Sequence, residues 1–347
     1  MKIHLVSGGC GFVGRNVVKR ILTTTEDKVF VVDDLSTGLH PSHWLQNAVS
    51  HKNKDLEVME GERLFFWRGD FRIFLRNLLS NPDYLIENYG LRVKKFSDVH
   101  HFAAIVGGRA KIEGDPIAVG IDLAIDAEFF YWVCQHKPER VLYPSSSAAY
   151  PVNLQSETQS VALVEKAIDF EANALGKPDM TYGWSKLTGE YLAKIAAEHY
   201  GLSVTCIRPF SGYGEDQDLT YPIPAIAARA ARRENPFEVW GDGKQGRDFV
   251  HIDDCLDCMF LAMDEITDGS AINIGAGKLT TFLEIIELFC KFANYKPEIK
   301  PLLDKPVGVH SRYADMNYVA ERLGWKPRIS LESGLRRVYD KALEPQS

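Results

Sequence analysis

Tyr182 and Lys186 stand four residues apart in Tyr182-Gly183-Trp184-Ser185-Lys186. On a helix that spacing puts a phenol and an ammonium on one face. A phenol alone is a poor base, with a pKa of about 10. A nearby positive charge stabilises the phenolate and lowers that value. Such a pair can exchange a proton with a substrate hydroxyl while a hydride leaves or reaches its carbon. Upstream, Leu142-Tyr143-Pro144 runs into Ser145-Ser146-Ser147. A hydroxyl there could bond the same substrate oxygen. Taken alone, the Tyr–Lys spacing also describes a surface pair and the serines an ordinary loop.

The glycine turn changes that weighting. Ser7-Gly8-Gly9-Cys10-Gly11-Phe12-Val13-Gly14 places glycines at 8, 11 and 14, directly after an apolar run. Glycine allows a tight turn, close approach of backbone to a pyrophosphate and close packing of helix on sheet. The N-terminus of the following helix offers N–H groups and a positive dipole end to the phosphates. Asp33 follows Gly14 by 19 residues, at the end of the next apolar run. That distance suits a carboxylate on the adenosine ribose hydroxyls. A carboxylate there repels a 2′-phosphate, so the expected cofactor is NAD rather than NADP. Asp70, in Trp67-Arg68-Gly69-Asp70, is placed to touch the adenine amino group or to cap the next helix.

These residues need a scaffold. Ile3 to Ser7 predicts a strand, Phe12 to Leu22 a helix and Val29 to Val32 a second strand, which together form a βαβ unit. Residues 38–66 read as a long polar excursion. Further strands are predicted at 64–67, 97–102, 140–143 and 204–208, and helices at 71–89, 115–136 and 182–199. The alternation implies an α/β fold with a doubly wound parallel Rossmann sheet. After Arg208-Pro209 prolines punctuate the chain and short elements mix. The reading is a dinucleotide domain over 1–208 and a smaller mixed α/β substrate lobe over 209–347, with some chain crossing back.

The 347 residues carry a formal net charge of -7 and no block of like charge, which argues against nucleic acid as partner. No run approaches the ~18 apolar residues of a membrane span, and Met1 to Val6 is too short for a signal peptide. Six scattered cysteines suggest a reducing, cytoplasmic setting. Cys255 and Cys258 have CxxC spacing but no second ligand pair nearby. They read as helix packing, and no metal is expected.

Taken together, the chain resembles the extended short-chain dehydrogenase/reductase family, in particular its nucleotide-sugar epimerases and dehydratases. The resemblance runs through Gly8 to Gly14, Asp33 to Gly38, His101-Phe102-Ala103-Ala104, Ser145 to Ser147, Tyr182 to Lys186, Arg208-Pro209-Phe210 and Trp240 to Phe249. It implies that Tyr182 is the acid/base, Ser146 its hydroxyl partner and Lys186 a holder of the cofactor ribose. It assigns Gly8, Gly11, Phe12, Val13, Gly14, Asp33, Asp34, Ser36, Thr37, Asp70, Ala103 and Ala104 to NAD. The substrate, a nucleotide-diphosphate sugar, falls to Gly107, Gly108, Ser147, Ser211, Trp240, Arg247, Lys305 and Arg312. Arg suits paired phosphate oxygens. A homodimer is implied, built on two helices per subunit. Leu187, Tyr191, Leu192 and Ile195 are candidates from one helix, and Phe129, Phe130 and Trp132 from the other.

The family shares a first step, oxidation at the sugar C4. Dehydratases resembling this region carry Asp-Glu after the catalytic hydroxyl, where this chain has Ser147 and Ala148. Other stretches resemble GDP-mannose 3,5-epimerases, including Ala103 to Gly108, Phe237 to Gly243 and Gly308 to Arg312. Those enzymes carry a Cys at the place of Ala148 and a Lys in the segment that here reads Glu215 to Tyr221. The reading that needs no further acid or base is 4-epimerisation. Alternatives are a net 4-dehydrogenase or reductase, a 3,5-epimerase-like enzyme and a non-catalytic NAD-binding scaffold. The Trp240 to Phe249 stretch leans toward GDP as the nucleotide, with UDP possible.

Overall fold

Apolar runs that end in glycines or polar turns become the strands of one parallel sheet. The computed structural model describes residues 1–45, 51–105 and 109–344. The first half runs β1 (Ile3–Ser7), α1 (Phe12–Thr24), β2 (Lys28–Asp33), β3 (His51–Asn53), β4 (Leu56–Met59), β5 (Leu64–Arg68), α2 (Phe71–Ser80) and α3 (Tyr84–Tyr89). It continues through β6 (Asp98–His101), α4 (Arg109–Gly114), α5 (Pro116–Val119), α6 (Asp122–His136), β7 (Arg140–Pro144), α7 (Met180–Tyr200) and β8 (Val204–Pro209). The second half runs β9 (Ser211–Tyr213), α8 (Pro222–Ala231), β10 (Phe237–Trp240), β11 (Gly246–Arg247), β12 (Phe249–His251), α9 (Ile252–Glu265) and β13 (Asp268–Ile274). It ends with β14 (Thr280–Thr281), α10 (Phe282–Phe292), β15 (Ile299–Leu302), β16 (Ser311–Arg312), α11 (Asn317–Leu323) and α12 (Leu331–Ala342).

The central sheet has the order β13-β8-β7-β6-β1-β2-β5-β4-β3. From β13 to β5 every neighbouring pair is parallel. The chain winds one way from β1 through β2 to β5 and the other way through β6, β7 and β8. The reversal lies between β1 and β6, and a ligand crevice opens at the carboxyl ends of strands at such a point. Side chains alternate across the strands. Val6, Val29 and Val31 face the layer that holds Val17, Val18 and Ile21 of α1. Leu5, Phe30 and Val32 face the other layer, with Phe74 of α2 and Phe129 and Trp132 of α6. Burial of each such side chain contributes about 1.5–3 kcal/mol.

Three readings of the sequence need correction. The excursion at 38–66 is not irregular throughout, because β4 pairs antiparallel with β5, and β3 with β4. Leu56 and Met59 are buried by that pairing, which local pattern does not announce. The helix predicted over 71–89 breaks at Asn81-Pro82 into α2 and α3, because Pro82 cannot donate a backbone hydrogen bond. The helix predicted over 115–136 breaks after Val119, and Gly120 separates α5 from α6.

The second half crosses back into the sheet. β13 pairs with β8 along its length. Helix α9 packs Cys255, Leu256, Cys258 and Met259 into the core beside α1. Burial pushes both thiols upward, so the CxxC pair is protonated and apolar in use. The remaining elements enclose their own core around Tyr213, Ile223, Phe237, Phe289 and Leu335.

Candidate active site

The glycine turn closes on itself tightly. Gly8 has φ +63°, and a Cβ on it would lie 2.6 Å from the backbone of Phe102 and Ala103. A Cβ on Gly14 would lie 2.2 Å from the Gly8 carbonyl oxygen. Gly11 caps α1 with no side-chain hydrogen bond, and the first turn of the helix carries no acid. The first-turn N–H groups of Phe12, Val13 and Gly14 therefore face the turn with no carboxylate of the helix to answer them. This cradle fits a dinucleotide pyrophosphate, both in shape and in donor set. Gly14→Ala is expected to abolish NAD binding, because the intruding atom meets backbone that cannot step aside. Isothermal titration with NAD checks this, and a variant that still binds at wild-type affinity contradicts it.

Asp33 is buried beneath the turn. Its carboxylate accepts from the Cys10 N–H at 2.9 Å and the Leu35 N–H at 2.8 Å. Burial pushes its pKa up, against those two hydrogen bonds. Asp34 is exposed and accepts from the Ser36 N–H, with Ser36 and Thr37 exposed beside it. Asp70 caps α2 through the Arg72 N–H and is also paired with the Arg72 guanidinium at 2.6 Å. The capping reading is thus what the geometry displays. Ala103 and Ala104 follow β6, and the Ala103 N–H donates to the Ser7 hydroxyl.

The catalytic candidates come together at the end of β7. Ser146 opens a short turn over Ser147–Ala149, and its oxygen accepts from the Ala148 N–H. Ser146 lies near enough to the Tyr182 phenol to pull its pKa down. Gly183 allows that approach, since a Cβ there would lie 2.4 Å from the Ala148 carbonyl oxygen. Lys186 is buried one turn further along α7, with its Nζ 5.9 Å from the centre of the Tyr182 ring. Ser147 and Ala148, the places where an acid would matter, are both buried.

The electrostatics depart from the sequence expectation. Burial pushes the Tyr182 pKa up more than Lys186 pulls it down, and Asp122 and Asp126 add to the rise. The Lys186 ammonium is opposed by its own burial, yet Asp126, Tyr182 and Asp122 outweigh that and raise its pKa. Tyr221, at the start of α8, is pushed up to about 12 by burial and by its nearness to Tyr182. Sequence reasoning passed over Tyr221, Asp122 and Asp126. Two acids one helical turn apart, in a helix rich in aromatic residues, were the available signal.

The expected phosphate cations sit on adjacent strands. Arg247 of β11 and Arg312 of β16 are register partners. Arg247 donates to the carbonyls of Gly246 and Val307. Arg312 is bound to Asp179 at 2.8 Å and to Gln155. Trp240 is exposed at the end of β10, opposite Leu302, and Lys305 is exposed in the turn that follows. Ser211 is half-buried in β9. Gly107 and Gly108 lie outside the described residues. Phe129, Phe130, Trp132 and Leu187, offered as dimer contacts, are instead buried in the subunit's own core. The apolar residues that α6 and α7 do expose include Leu123, Tyr131, Trp184 and Tyr191.

Among the described residues His4, Asp98 and His100 also cluster. Asp98 is already held by Arg140 at 2.6 Å and by Lys2 at 3.6 Å, so the group is a neutralised ion-pair cluster, at odds with a further cation. No described helix is long and apolar enough to cross a membrane.

Residues 4–275 match the NAD dependent epimerase/dehydratase family. A putative UDP-glucose 4-epimerase of Methanocaldococcus jannaschii is 26% identical over 345 residues, covering 97% of each chain. The GDP-mannose 3,5-epimerase of Arabidopsis thaliana is 32% identical over 206 residues, covering 58% of this chain and 52% of its own. Among solved structures, a UDP-glucose 4-epimerase of Thermotoga maritima superposes with a TM-score of 0.77 at 23% identity, covering 98% of both chains.

Proposed function

We propose, from the premise that the chain belongs to the NAD dependent epimerase/dehydratase family, that it is a nucleotide-sugar 4-epimerase. The enzyme class is that of the family, an NAD-dependent epimerase or dehydratase. The observation that carries the finer reading is Ser146 beside the Tyr182 phenol, with Lys186 buried one turn on, flanked by Ser147 and Ala148 and not by a carboxyl or thiol group. Dehydration needs an acid and a base to expel water, and 3,5-epimerisation needs a pair to exchange protons at C3 and C5. Epimerisation at C4 needs no acid or base beyond Tyr182.

Bound NAD supplies a hydride acceptor and donor at the sugar C4. Tyr182 takes the proton of the 4-hydroxyl and later returns one to the same oxygen. Ser146 holds that oxygen by a second hydrogen bond. Lys186 supplies positive charge under the phenol and a donor toward the cofactor ribose. Gly8 to Gly14 and Asp33 hold the dinucleotide, with Asp34, Ser36, Thr37, Ala103 and Ala104 along its length. Arg247 and Arg312, with Lys305 and Trp240, bind the nucleotide diphosphate, either UDP or GDP. The keto sugar must turn over between the two hydride transfers, so the lobe has to grip the nucleotide and not the ring. We also propose a cytoplasmic homodimer, formed through the exposed apolar faces of α6 and α7.

The test is a panel of UDP-, GDP-, dTDP- and CDP-hexoses with NAD-loaded protein, and products identified by NMR. A 4-epimer with no net NADH is the expected product. Accumulated NADH marks a net dehydrogenase, and deuterium from heavy water at C3 or C5 marks a 3,5-epimerase. A dehydrated sugar overturns the argument from Ser147 and Ala148. The absence of any product or reduced cofactor leaves a binding scaffold.

A further inference from the structure

Beneath the Tyr182–Lys186 pair lies a buried polar chain that the proposed reaction does not use. Asp126 of α6 is 1% exposed. One of its oxygens accepts from Tyr143 O–H at 2.6 Å, and the other contacts His101 Nε2 at 3.0 Å. Burial holds His101 below its ordinary pKa and so neutral. Its Nδ1 then accepts from the Ser7 hydroxyl at 2.8 Å. The Ser7 oxygen in turn accepts from the Ala103 N–H. On the other side, the Lys186 Nζ lies 5.2 Å from the centre of the Tyr143 ring. Gly189 makes room for that ring, because a Cβ there would lie 1.8 Å from the Tyr143 oxygen. Tyr143 is thus a plate, with the ammonium on its face and the carboxylate at its tip.

A carboxylate this deeply buried is costly unless a positive charge compensates it. Burial raises the Asp126 pKa, but Lys186, with the contacts to His101 and Tyr143, more than reverses that and holds its carboxyl below the usual range. The groups around the Tyr182 phenol and the ammonium are Asp122 and Asp126 from α6, His101 from β6, Tyr143 from β7, Ser146 from the turn after it and Tyr221 from the start of α8. Cys206 of β8 and Glu190 of α7 also act on Tyr143.

We propose that Asp126 is a positioning residue for the Tyr182–Lys186 pair. It is a buried counter-charge that seats Lys186 as an ammonium on Tyr143 and offsets the field of that ammonium at the phenol. The inference rests on the reading of Tyr182 as acid/base. Removing the Asp126 charge leaves the Lys186 field at Tyr182 less opposed, while Asp122 still faces the ammonium. The phenolate becomes easier to form.

Tyr182 ionisation is to be followed by phenolate absorbance, with Tyr182→Phe as the blank, beside the pH profile of kcat/KM. Asp126→Asn is expected to move both midpoints to lower pH by about one unit. Tyr143→Phe keeps the carboxylate and the ring, and is expected to leave the Tyr182 titration where it is. An Asp126→Asn midpoint that stays put or moves to higher pH overturns the proposal. So does a Tyr143→Phe shift as large as that of Asp126→Asn, because packing alone would then explain both. If Asp126→Asn does not fold, thermal melting of Lys186→Met and of the double variant decides. The double variant is expected to melt higher than Lys186→Met, since it removes both charges. A double variant no more stable than the single one overturns the counter-charge. The absorbance titration reads Asp126 even if no sugar nucleotide is turned over, so failure of the 4-epimerase reading is seen separately.

Discussion

Tyr182→Phe is expected to lower kcat by about 10²–10⁴-fold, the range for loss of a positioned general acid/base, with folding and NAD affinity retained. The substitution deletes one oxygen and keeps the ring that packs α7 against the turn at Ser146. Ser146 keeps its bond to the Ala148 N–H, so the turn is still capped. Lys186 remains buried against Tyr143. What disappears is the group that removes the proton as the hydride leaves C4. A loss that appears in kcat and kcat/KM together means an interaction made in the transition state. A rise in KM alone would assign Tyr182 to binding. Retention of full turnover would remove it from the chemistry and with it the reading built on the Tyr–Lys spacing. The measurement is steady-state kinetics on whichever sugar nucleotide the panel identifies, with NAD affinity measured in parallel.

What could be read in the sequence was the part whose physics is local. Glycines at 8, 11 and 14 are demanded by a backbone that nearly touches itself, and the clashes a Cβ would make there explain why the spacing is informative. The Tyr182–Lys186 spacing is a property of one helix, and α7 carries both residues, with Lys186 among its buried ones. The parts that escaped depend on neighbours distant in sequence. The β3–β4 hairpin exists because β5 offers an open edge, not because its own residues insist on a strand. Asp126 was hidden in a helix read for its aromatic residues. Its role requires Tyr143 and His101, which arrive from two different strands. Arg312 was legible as a cation but not as a partner of Asp179, 133 residues away in the chain. The lesson is specific to charge. Residue type predicts that a cation is present, and only the fold says which anion it already serves.

Arg208→Met is expected to cost about 3–5 kcal/mol of stability, the range for breaking a buried ion pair from one side. Arg208 and Glu190 are both nearly fully buried, and the guanidinium binds the carboxylate through Nε at 2.9 Å and Nη2 at 2.7 Å. Its remaining nitrogen donates to the Glu165 carbonyl and to the Tyr150 oxygen. Tyr150 O–H donates to Asn273, whose side-chain amide donates to the carbonyls of Leu163 and Asp315. One guanidinium thus ties α7 to β13 and to the segments around 163 and 315. Burial alone would depress the charge of Arg208, but Glu190 more than reverses that, so the guanidinium stays charged in the fold. Methionine fills much of the volume and leaves Glu190 with the Ser145 hydroxyl as its remaining partner among these contacts. A fall in Tm on the order of 10 °C follows from the usual size of the effect. Arg208→Lys keeps the charge but not the two-pronged geometry, and should fall between wild type and methionine. The double variant Arg208→Met with Glu190→Met should recover much of the loss, because no charge is left stranded. A double variant as unstable as the single one would mean that Arg208 matters through its carbonyl contacts and not through Glu190. Glu190 follows Lys186 by one helical turn, as Lys186 follows Tyr182. A slackened pair therefore loosens the same line of residues that places the phenol, and surviving Arg208→Met protein should lose kcat as well as stability.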